Sequence, residues 1–509
     1  MAVDSPSNTW VADGMPAALL RHWPLAVLGV ILVATAALYA PMFGQWFQSD
    51  DFMFVNAGQD ADAVSYIRDV FDFRSAPPLP EGRFYRPLHS TAFVFLYDVF
   101  GLHAWGYHLW SLVVHLGSTV FVWLIARRLT KSELTAALAA SFFALHPAHV
   151  SAVGWISNNN ALMATCVSLA AFWCFLRAQD GERLRRVWYG ASVFGYAASL
   201  LLHPEVGSLL VALIAYRFFV QLDDWRRALE WRRWLDLTPF VAVAAVYFAI
   251  QRWMTSQGHL PQADEFAFGW HMLRVFFGYV SMSVYPTPAD QHALPTWRHV
   301  LAAVALSLAI VALLAMRSRR RPYVAAFAVV WYAAALAPLS TAYFPDFLVD
   351  ISARKLYVAG PALALVLALL VTPLIELAAR QREQLLAAAG TGALLLLLVG
   401  YVLAGRLVVD RQEDLAWASD QSEAYVRALQ EAHPTIPEGS RLHVVGLPAY
   451  LAILTGFYDE YVVSLVGMHY QGIEVVVERD TAFEQDLGPS DVVFRYQAGG
   501  PASQEAAGP

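Results

Sequence analysis

Two adjacent carboxylates, Asp50 and Asp51, lie in the segment GQWFQSDDFMF (44–54), directly after the first long apolar run of the chain. Aromatic side chains flank the pair on both sides. An acidic pair at the end of a membrane helix is unfavourable unless it is solvated, paired or used in function. The pair therefore marks either a solvated helix end or a functional site, and the rest of the chain has to distinguish the two.

A second polar cluster follows in HPAHVSAVGWISNNN (146–160). His146, His149, Asn158 and Asn159 carry ring and amide groups that can donate hydrogen bonds to a phosphate or a sugar. The alternative interpretation is an ordinary connection between helices, with His and Trp at the membrane interface and an Asn-rich helix cap.

Glu205 lies between two apolar runs, in LLHPEVGSLL. A carboxylate at membrane level usually has a functional or a paired role. It also follows Pro204, and the dipole of a helix favours an acidic residue in the first turn. Both interpretations of Glu205 stay open at this point.

Two further segments carry cations next to aromatic residues. DISARKLYVAG places Arg354 and Lys355 at the start of an apolar run, with Tyr357 close behind. Cations at that depth attract phosphate, and Arg can bind it through two hydrogen bonds, although both can instead extend to lipid headgroups. FYRPLH offers Tyr85 and Arg86, which form either part of a site or a surface turn around proline.

The composition predicts a polytopic α-helical membrane protein. The chain has 509 residues, of which 58% are hydrophobic and 15% are charged, whereas soluble domains average about 45–50% and 25%. Its 17 Trp and 22 Tyr suit aromatic belts at the membrane interfaces. The net charge of −7 argues against a nucleic-acid partner. Cys166 and Cys174 lie in one apolar segment and are expected to be small core residues.

About eleven apolar segments are long enough to span a bilayer. They are residues 23–43, 107–126, 134–150, 159–177, 187–202, 204–219, 235–251, 299–316, 323–342, 356–376 and 386–408. The aromatic piece 266–286 is interrupted and is predicted to be an interfacial helix, and short helices are predicted in the polar stretch 44–103.

The distribution of Lys and Arg predicts the orientation in an inner (plasma) membrane. With residues 1–22 as a cytoplasmic tail, five basic clusters between the spans fall on the cytoplasmic side. Asp50 and Asp51 then face the external, periplasmic side, as does everything after residue 409.

The last hundred residues differ in character from the rest. RLHVVGL, YVVSLVG, IEVVVERD and DVVFRY are predicted to be short strands, after a helix over 410–432. We expect a small external α/β module over 410–509, with a disordered end at GGPASQEAAGP. The sequence contains no P-loop, no Gly-rich nucleotide fingerprint and no zinc-spaced Cys/His set.

Residues 44 to about 205 resemble the GT-C glycosyltransferases, in particular the bacterial relatives of the transmembrane and tetratricopeptide-repeat O-mannosyltransferases. The resemblance lies in the acid pair, in FYRPLHSTAF, in GLHAWGYHLWSLVVHLGSTVFVWLIARRL and in ALHPAHVSAVGWISNNNALMA. LLHPEVG, ARKLYVAG and RQEDLAWASDQS are similar but weaker matches. The chain departs from the family in having Pro204 in place of a Lys, an Asn run in place of an Arg, and no tetratricopeptide repeats, which the family would use to bind a protein acceptor.

This resemblance implies an enzyme that moves a sugar from a polyprenyl-phosphate carrier to a hydroxyl of a protein, lipid or glycan, with inversion. Asp50 or Asp51 would be the general base, and the other would orient it or hold a metal. The remaining implied roles are donor-phosphate binding by Arg354, Lys355, His146 and His149, and sugar or acceptor binding by Glu205, Arg86, Tyr85, Asn158, Asn159 and Tyr357. No cofactor is required, but a divalent cation (Mg or Mn) stays open.

Two other classes of function stay in play. A flippase for lipid-linked sugars usually has charged residues at midplane and paired repeats, whereas the predicted spans here carry almost no internal charge. A polysaccharide polymerase or ligase usually has its site in a large late external loop, whereas the polar mass here lies in the first. Both contrasts favour the transferase.

Overall fold

The structure is a computed structural model. It describes residues 17–59, 62–77, 84–181, 184–221, 230–260, 269–284, 322–341, 353–380, 416–445, 458–478, 488–496 and 503–505.

Helices dominate the described chain before residue 381. They are α1 (Ala17–Tyr39), α2 (Asp51–Gly58), α3 (Ala63–Phe71), α4 (Pro87–Phe100), α5 (Ala104–Thr130), α6 (Glu133–Ala144), α7 (Val150–Gly154), α8 (Asn159–Ala178), α9 (Arg185–Leu202), α10 (Ser208–Tyr216), α11 (Thr238–Ser256), α12 (His271–Val284), α13 (Pro322–Ser340) and α14 (Gly360–Arg380). Short 3-10 helices join several of them, at Ala40–Gly44, Pro147–His149, Ile156–Asn158, Pro204–Gly207, Trp231–Leu237 and Ala353–Tyr357.

Six helical stretches of the described residues are long and apolar enough to cross a membrane. They are Trp23–Gly44, Ala104–Thr130, Ile156–Ala178, Pro204–Gln221, Trp231–Ser256 and Tyr323–Ser340. The prediction of a multi-pass helical membrane protein is confirmed. The predicted spans 299–316 and 386–408 lie outside the described residues, so the count of eleven stays a prediction.

The predicted span 134–150 is not one straight helix. It consists of α6 and of the stretch Pro147–Gly154, which meet at an angle of 44°. Pro147 causes the break, because a residue before proline is driven out of the helical conformation and the ring removes a backbone donor. The bend places His146 and His149 inside the bundle rather than at the end of a span.

Small residues allow the central helices to approach closely. The alanines of α6 at 136, 139 and 140 are 0% exposed, and α6 packs between α5 and α14. Gly195 of α9 lies so near Ala171 of α8 that an added Cβ would be 3.1 Å from the alanine Cβ. Such close approach of small residues is what holds helices together where lipid removes the hydrophobic drive.

The C-terminal module has a four-stranded sheet packed with helices. After α15 (416–432) come β1 (Arg441–Val445), α16 (Tyr458–Gly467), β2 (Glu474–Glu478), β3 (Asp491–Arg495) and β4 (Ser503–Glu505). The order is β2-β1-β3-β4, with β1 parallel to both neighbours and β4 antiparallel to β3. The small α/β architecture predicted here is confirmed.

Two local predictions in this module are wrong. YVVSLVG is part of helix α16 rather than a strand, because its buried residues Tyr461, Val462, Leu465 and Val466 recur at the spacing of one helix face. The end of the chain was predicted to be disordered, but Ser503–Glu505 pairs with β3, since the free edge of β3 offers unpaired backbone groups.

The segment 44–58 shares a hydrophobic core with this module. Phe47 and Phe52 are 0% exposed and belong to the same cluster as Leu465 and Val466 of α16. The backbone N–H of Trp46 donates to the hydroxyl of Ser419 at 2.5 Å. The acid pair therefore lies in a segment that is fixed from the module side as well as by the bundle.

Candidate functional site

The acid pair begins α2, at the end of a short buried loop. Pro41 starts the 3-10 helix Ala40–Gly44 that ends the first span, and α2 starts at Asp51 with Asp50 as its N-cap residue. Ser49, just before the pair, has a φ of 55°, a left-handed conformation that costs a non-glycine residue about 1–3 kcal/mol. The surrounding packing holds this strained turn in place.

Asp51 is the structural member of the pair. It is 1% exposed, and its two carboxylate oxygens accept the backbone N–H groups of Gln48 at 3.0 Å and Ser157 at 2.7 Å. Burial, and next the charge of Asp50, raise the pKa of Asp51 well above its ordinary value. Asp51 thus joins the loop after α1 to the loop before α8.

Asp50 is the accessible member of the pair. It is half-buried, and one of its oxygens accepts the hydroxyl proton of Ser157 at 2.5 Å. Burial raises the pKa of Asp50, while the Ser157 hydroxyl and then the charges of Arg354 and Arg86 act in the opposite direction. Asp50 is therefore a carboxylate with a raised proton affinity and with two guanidinium groups near it.

Arg354 is held over an aromatic face. Its guanidinium carbon lies 4.0 Å from the centre of the Trp155 ring, and the 3-10 helix Ala353–Tyr357 packs against Pro147–His149 and α7. Arg354 and Lys355 are both half-buried. A guanidinium stacked on Trp is fixed in orientation while its edge stays available for an anion.

Glu205 faces the same cations from another element. Its carboxylate interacts electrostatically with Lys355, Arg86 and Arg354, and its backbone N–H donates to Nδ1 of His203 at 3.3 Å. Burial, followed by the charges of Arg86 and Lys355, lowers the pKa of His203 to about 3. The imidazole is therefore neutral, and the local charge is set by the Arg, Lys and carboxylate groups.

His89 adds a second neutral imidazole beside this group. The ring is 0% exposed and packs at 4.5 Å from the Phe54 ring. Burial and the charges of Arg86 and His203 lower the pKa of His89 well below its ordinary value.

His146, His149 and Tyr357 form a buried cluster behind Arg354. Nε2 of His146 is 3.0 Å from the Ser283 carbonyl, and Nδ1 of His149 is 2.9 Å from the Phe143 carbonyl. The Tyr357 hydroxyl is 2.8 Å from Nδ1 of His115. The structure brings the cluster next to the 353–357 segment, with these polar atoms bonded to the protein. A donor-phosphate role for the histidines, and a sugar or acceptor role for Tyr357, stay predictions.

The remaining candidates anchor loops. The Tyr85 hydroxyl donates to the Phe71 carbonyl at 2.9 Å, the Asn158 amide donates to the Ala152 carbonyl at 3.3 Å, and the Asn159 oxygen accepts from the Ser111 hydroxyl at 3.1 Å. A sugar or acceptor role for these side chains is not visible in these contacts and stays a prediction.

Sequence reasoning missed Ser157, which bonds to both aspartates at once. It lies inside the motif WISNNN, where the three asparagines attract attention and a serine does not. The need of a buried carboxylate pair for donors from elsewhere was a clue, but the sequence gives no information on which residue supplies them.

The donor set is a poor fit for a metal. A hard divalent cation takes about six oxygen ligands, and the described residues contain no group of three or more His, Cys, Asp or Glu placed to hold an ion. Both oxygens of Asp51 already accept backbone N–H groups. Metal dependence stays untested, and no step below uses a metal.

Residues 86–251 match the family model described as dolichyl-phosphate-mannose-protein mannosyltransferase. The chain is similar to the protein O-mannosyl-transferase Tmtc1 of Drosophila melanogaster, with 31% identity over 178 residues, which is 34% of this chain and 20% of that protein. It is also similar to Tmtc2 of the same organism, with 30% identity over 187 residues, covering 35% and 20%. The chain thus spans about a fifth of the length of these curated relatives.

The fold is also that of a solved membrane protein. The archaeal oligosaccharyltransferase AglB of Archaeoglobus fulgidus, solved in complex with an inhibitory peptide and a dolichol-phosphate, superposes with a TM-score of 0.52. The likeness covers 88% of this chain and 64% of that chain, at 11% identity. At that identity the likeness concerns the fold, which places helices around the segment of the acid pair in the same general arrangement.

Proposed function

We propose that this protein, which its matched segment and its fold assign to the GT-C glycosyltransferases, transfers a sugar from a polyprenyl-phosphate carrier to a hydroxyl acceptor. One observation carries the proposal. The carboxylate of Asp50, held by Ser157, lies within the electrostatic reach of Arg354 and Arg86. A base beside anchored cations is the arrangement that attack on a phosphate-activated sugar requires.

Asp50 is the general base in this proposal. The acceptor hydroxyl gives its proton to Asp50 as its oxygen forms a bond to the anomeric carbon. The bond from that carbon to the carrier phosphate breaks, and the phosphate leaves with the electron pair, which inverts the configuration. Asp51 acts as a positioning residue, because its oxygens are used by Gln48 and Ser157. The raised pKa of Asp50 suits a base that has to accept a proton.

Arg354 and Lys355 stabilise the negative charge that develops on the leaving phosphate. Trp155 orients the guanidinium of Arg354, so little reorganisation is needed when charge develops. Glu205 interacts with the same cations, which prevents an excess of positive charge before the donor binds, and it is placed to contact the sugar or the acceptor.

The relatives support the substrate classes without fixing them. The family description names a dolichyl-phosphate-mannose donor, and AglB was solved with a dolichol-phosphate and a peptide. We propose a polyprenyl-phosphate sugar as donor here and a protein, lipid or glycan hydroxyl as acceptor. We place the site and the C-terminal module on the external face of the inner membrane, because the basic clusters between the spans favour that orientation.

The test is sugar transfer by the purified full chain from radiolabelled polyprenyl-phosphate hexoses and pentoses to an extract of the host envelope. Asp50→Asn should lower transfer by about a hundredfold or more without changing the unfolding temperature. Asp51→Asn should lower both, because an amide cannot accept both N–H groups in the same way. Asp69→Asn, at an exposed carboxylate, is the matched control and should change neither.

Retention of transfer in Asp50→Asn would remove it as the base. If wild type transfers no label from any donor but moves labelled carrier lipid across liposomes, the protein is a flippase and the transferase proposal is wrong.

A further inference from the structure

The end of α5 opposite to the acid pair carries an open cavity of about 350 Å³. α5 has 27 residues and is therefore about 40 Å long, so this cavity lies roughly the thickness of a membrane away from the site proposed above. It is lined by Leu124, Arg127, Arg128, Lys131, Glu133 and Trp173.

Cations outnumber carboxylates in and around this cavity. Arg127 pairs with Glu133 at 2.5 Å. Arg128 pairs with Asp180, which also lies 3.7 Å from Arg177. Lys131 is exposed and forms no ion pair within the part of the chain that the structure describes. The two carboxylates are thus already shared among three arginines, and the ammonium of Lys131 adds a further positive charge at the rim.

Lys131 stands where the backbone favours glycine. It caps the C-terminus of α5 with φ 50° and ψ 34°, the left-handed conformation that glycine or asparagine adopts more easily than other residues at this position. The helix dipole favours a cation near a C-terminus, but Arg127 and Arg128 already supply charge in the last turn. A lysine in this strained conformation suggests that its ammonium has a use at the cavity.

The cavity joins apolar walls to a charged rim. Leu124 and Trp173 belong to the candidate spans Ala104–Thr130 and Ile156–Ala178, so their side chains lie at membrane depth. The cations lie at or just beyond the end of the first of these spans. A molecule that fits this gradient has an apolar chain along the helices and an anionic group at the boundary.

We infer that this cavity binds the phosphate of an anionic phospholipid of the surrounding bilayer, with Lys131, Arg127 and Arg128 around the headgroup and an acyl chain along Leu124 and Trp173. The binding site is separate from the acid pair and does not depend on the proposed transfer reaction.

The test uses the full chain in detergent micelles doped with phosphatidylglycerol or phosphatidylcholine, with bound lipid counted by native mass spectrometry. Wild type should retain phosphatidylglycerol and not phosphatidylcholine. Lys131→Gly should lower phosphatidylglycerol occupancy about fivefold, the attraction expected of one cation to an anionic lipid. It should not lower the unfolding temperature, because glycine relieves the left-handed backbone.

Arg185→Gln is the matched control. Arg185 is an exposed cation that begins α9, outside the cavity lining, and its loss should leave the occupancy unchanged. Equal occupancy in wild type and Lys131→Gly would overturn the proposal, as would equal retention of the two lipids. Displacement of the lipid by millimolar inorganic phosphate would assign the site to a soluble phosphate instead of a lipid and would also overturn it.

Discussion

The two ends of the helical bundle hold their charged residues in opposite ways. At one end, Asp51 is 1% exposed and is bonded to the backbone of Ser157, 106 positions away. At the other end, Arg127 and Glu133 are six residues apart and form their ion pair with half of the Arg127 side chain exposed. The first arrangement depends on the tertiary fold, whereas the second depends on neighbours along the chain.

This difference separates an organised site from an adaptable surface. Buried carboxylates keep raised pKa values and a fixed geometry, because water cannot screen them and packing over-determines the strained turn at Ser49. Exposed ion pairs are screened and contribute little each, so their charges stay available for a mobile partner such as a lipid. Substitutions should therefore have large, specific effects at the first end and small effects at the second.

The largest effect in this series is expected for Ser157→Ala. The hydroxyl of Ser157 lowers the pKa of Asp50, so its loss raises that pKa further. Because the base must be ionised, the acid limb of the transfer rate should move to higher pH, by about one unit for a bond worth 1.5–3 kcal/mol that is partly replaced by water. The measurement is the pH dependence of kcat.

Ser157→Thr keeps the hydroxyl and should restore the wild-type pH profile. A mere packing defect would lower the rate at all pH values and leave the acid limb in place, which would contradict the role given to Ser157.

Trp155→Leu should have the next largest effect. Removal of the ring takes away the surface that orients Arg354, and a cation–π contact at a partly desolvated place is worth about 1–2 kcal/mol. We expect the KM for the lipid-linked donor to rise about tenfold, with a smaller change in kcat. Trp231→Leu is the control, since Trp231 stacks with Arg232 on an exposed surface and should leave the KM unchanged. An equal rise in both variants would argue against donor binding by Arg354.

Ser419→Ala tests whether the C-terminal module helps to fix the acid pair. The variant removes the acceptor for the Trp46 N–H, a loss of about 1 kcal/mol. Hydrogen exchange of residues 46–58 should become several-fold faster while β1 stays protected. Ser422→Ala on the same helix removes a hydroxyl that bonds to its own helix at Ala418 and should not change exchange in 46–58. Unchanged exchange in both variants would show that the segment is held by the bundle alone.

Part of this site could be predicted from the sequence and part could not. The acid pair, Arg86, Glu205 and Arg354 carry charge in or next to apolar runs, and that conflict marks them without any structure; the structure places them within electrostatic reach of one another. The link from Ser157 to both aspartates joins segments about a hundred residues apart, and no local pattern encodes it. In the module, β-branched residues in α16 favoured a strand by propensity, whereas burial of one helix face against 44–58 decided the outcome.

Glu133→Gln should give the smallest effect and defines the other side of the comparison. The Glu133 carboxylate bonds to Arg127 at 2.5 Å, a shorter distance than either backbone bond of Asp51. Geometry alone would therefore rank the Glu133 contact as the stronger. Solvent screening and the freedom of two exposed side chains reverse this order, so the loss in unfolding free energy should stay below about 1 kcal/mol, against about 2–3 kcal/mol for Asp51→Asn. Denaturation of both variants in one detergent measures the difference, and equal losses would show that burial and tertiary bonding do not separate the two ends.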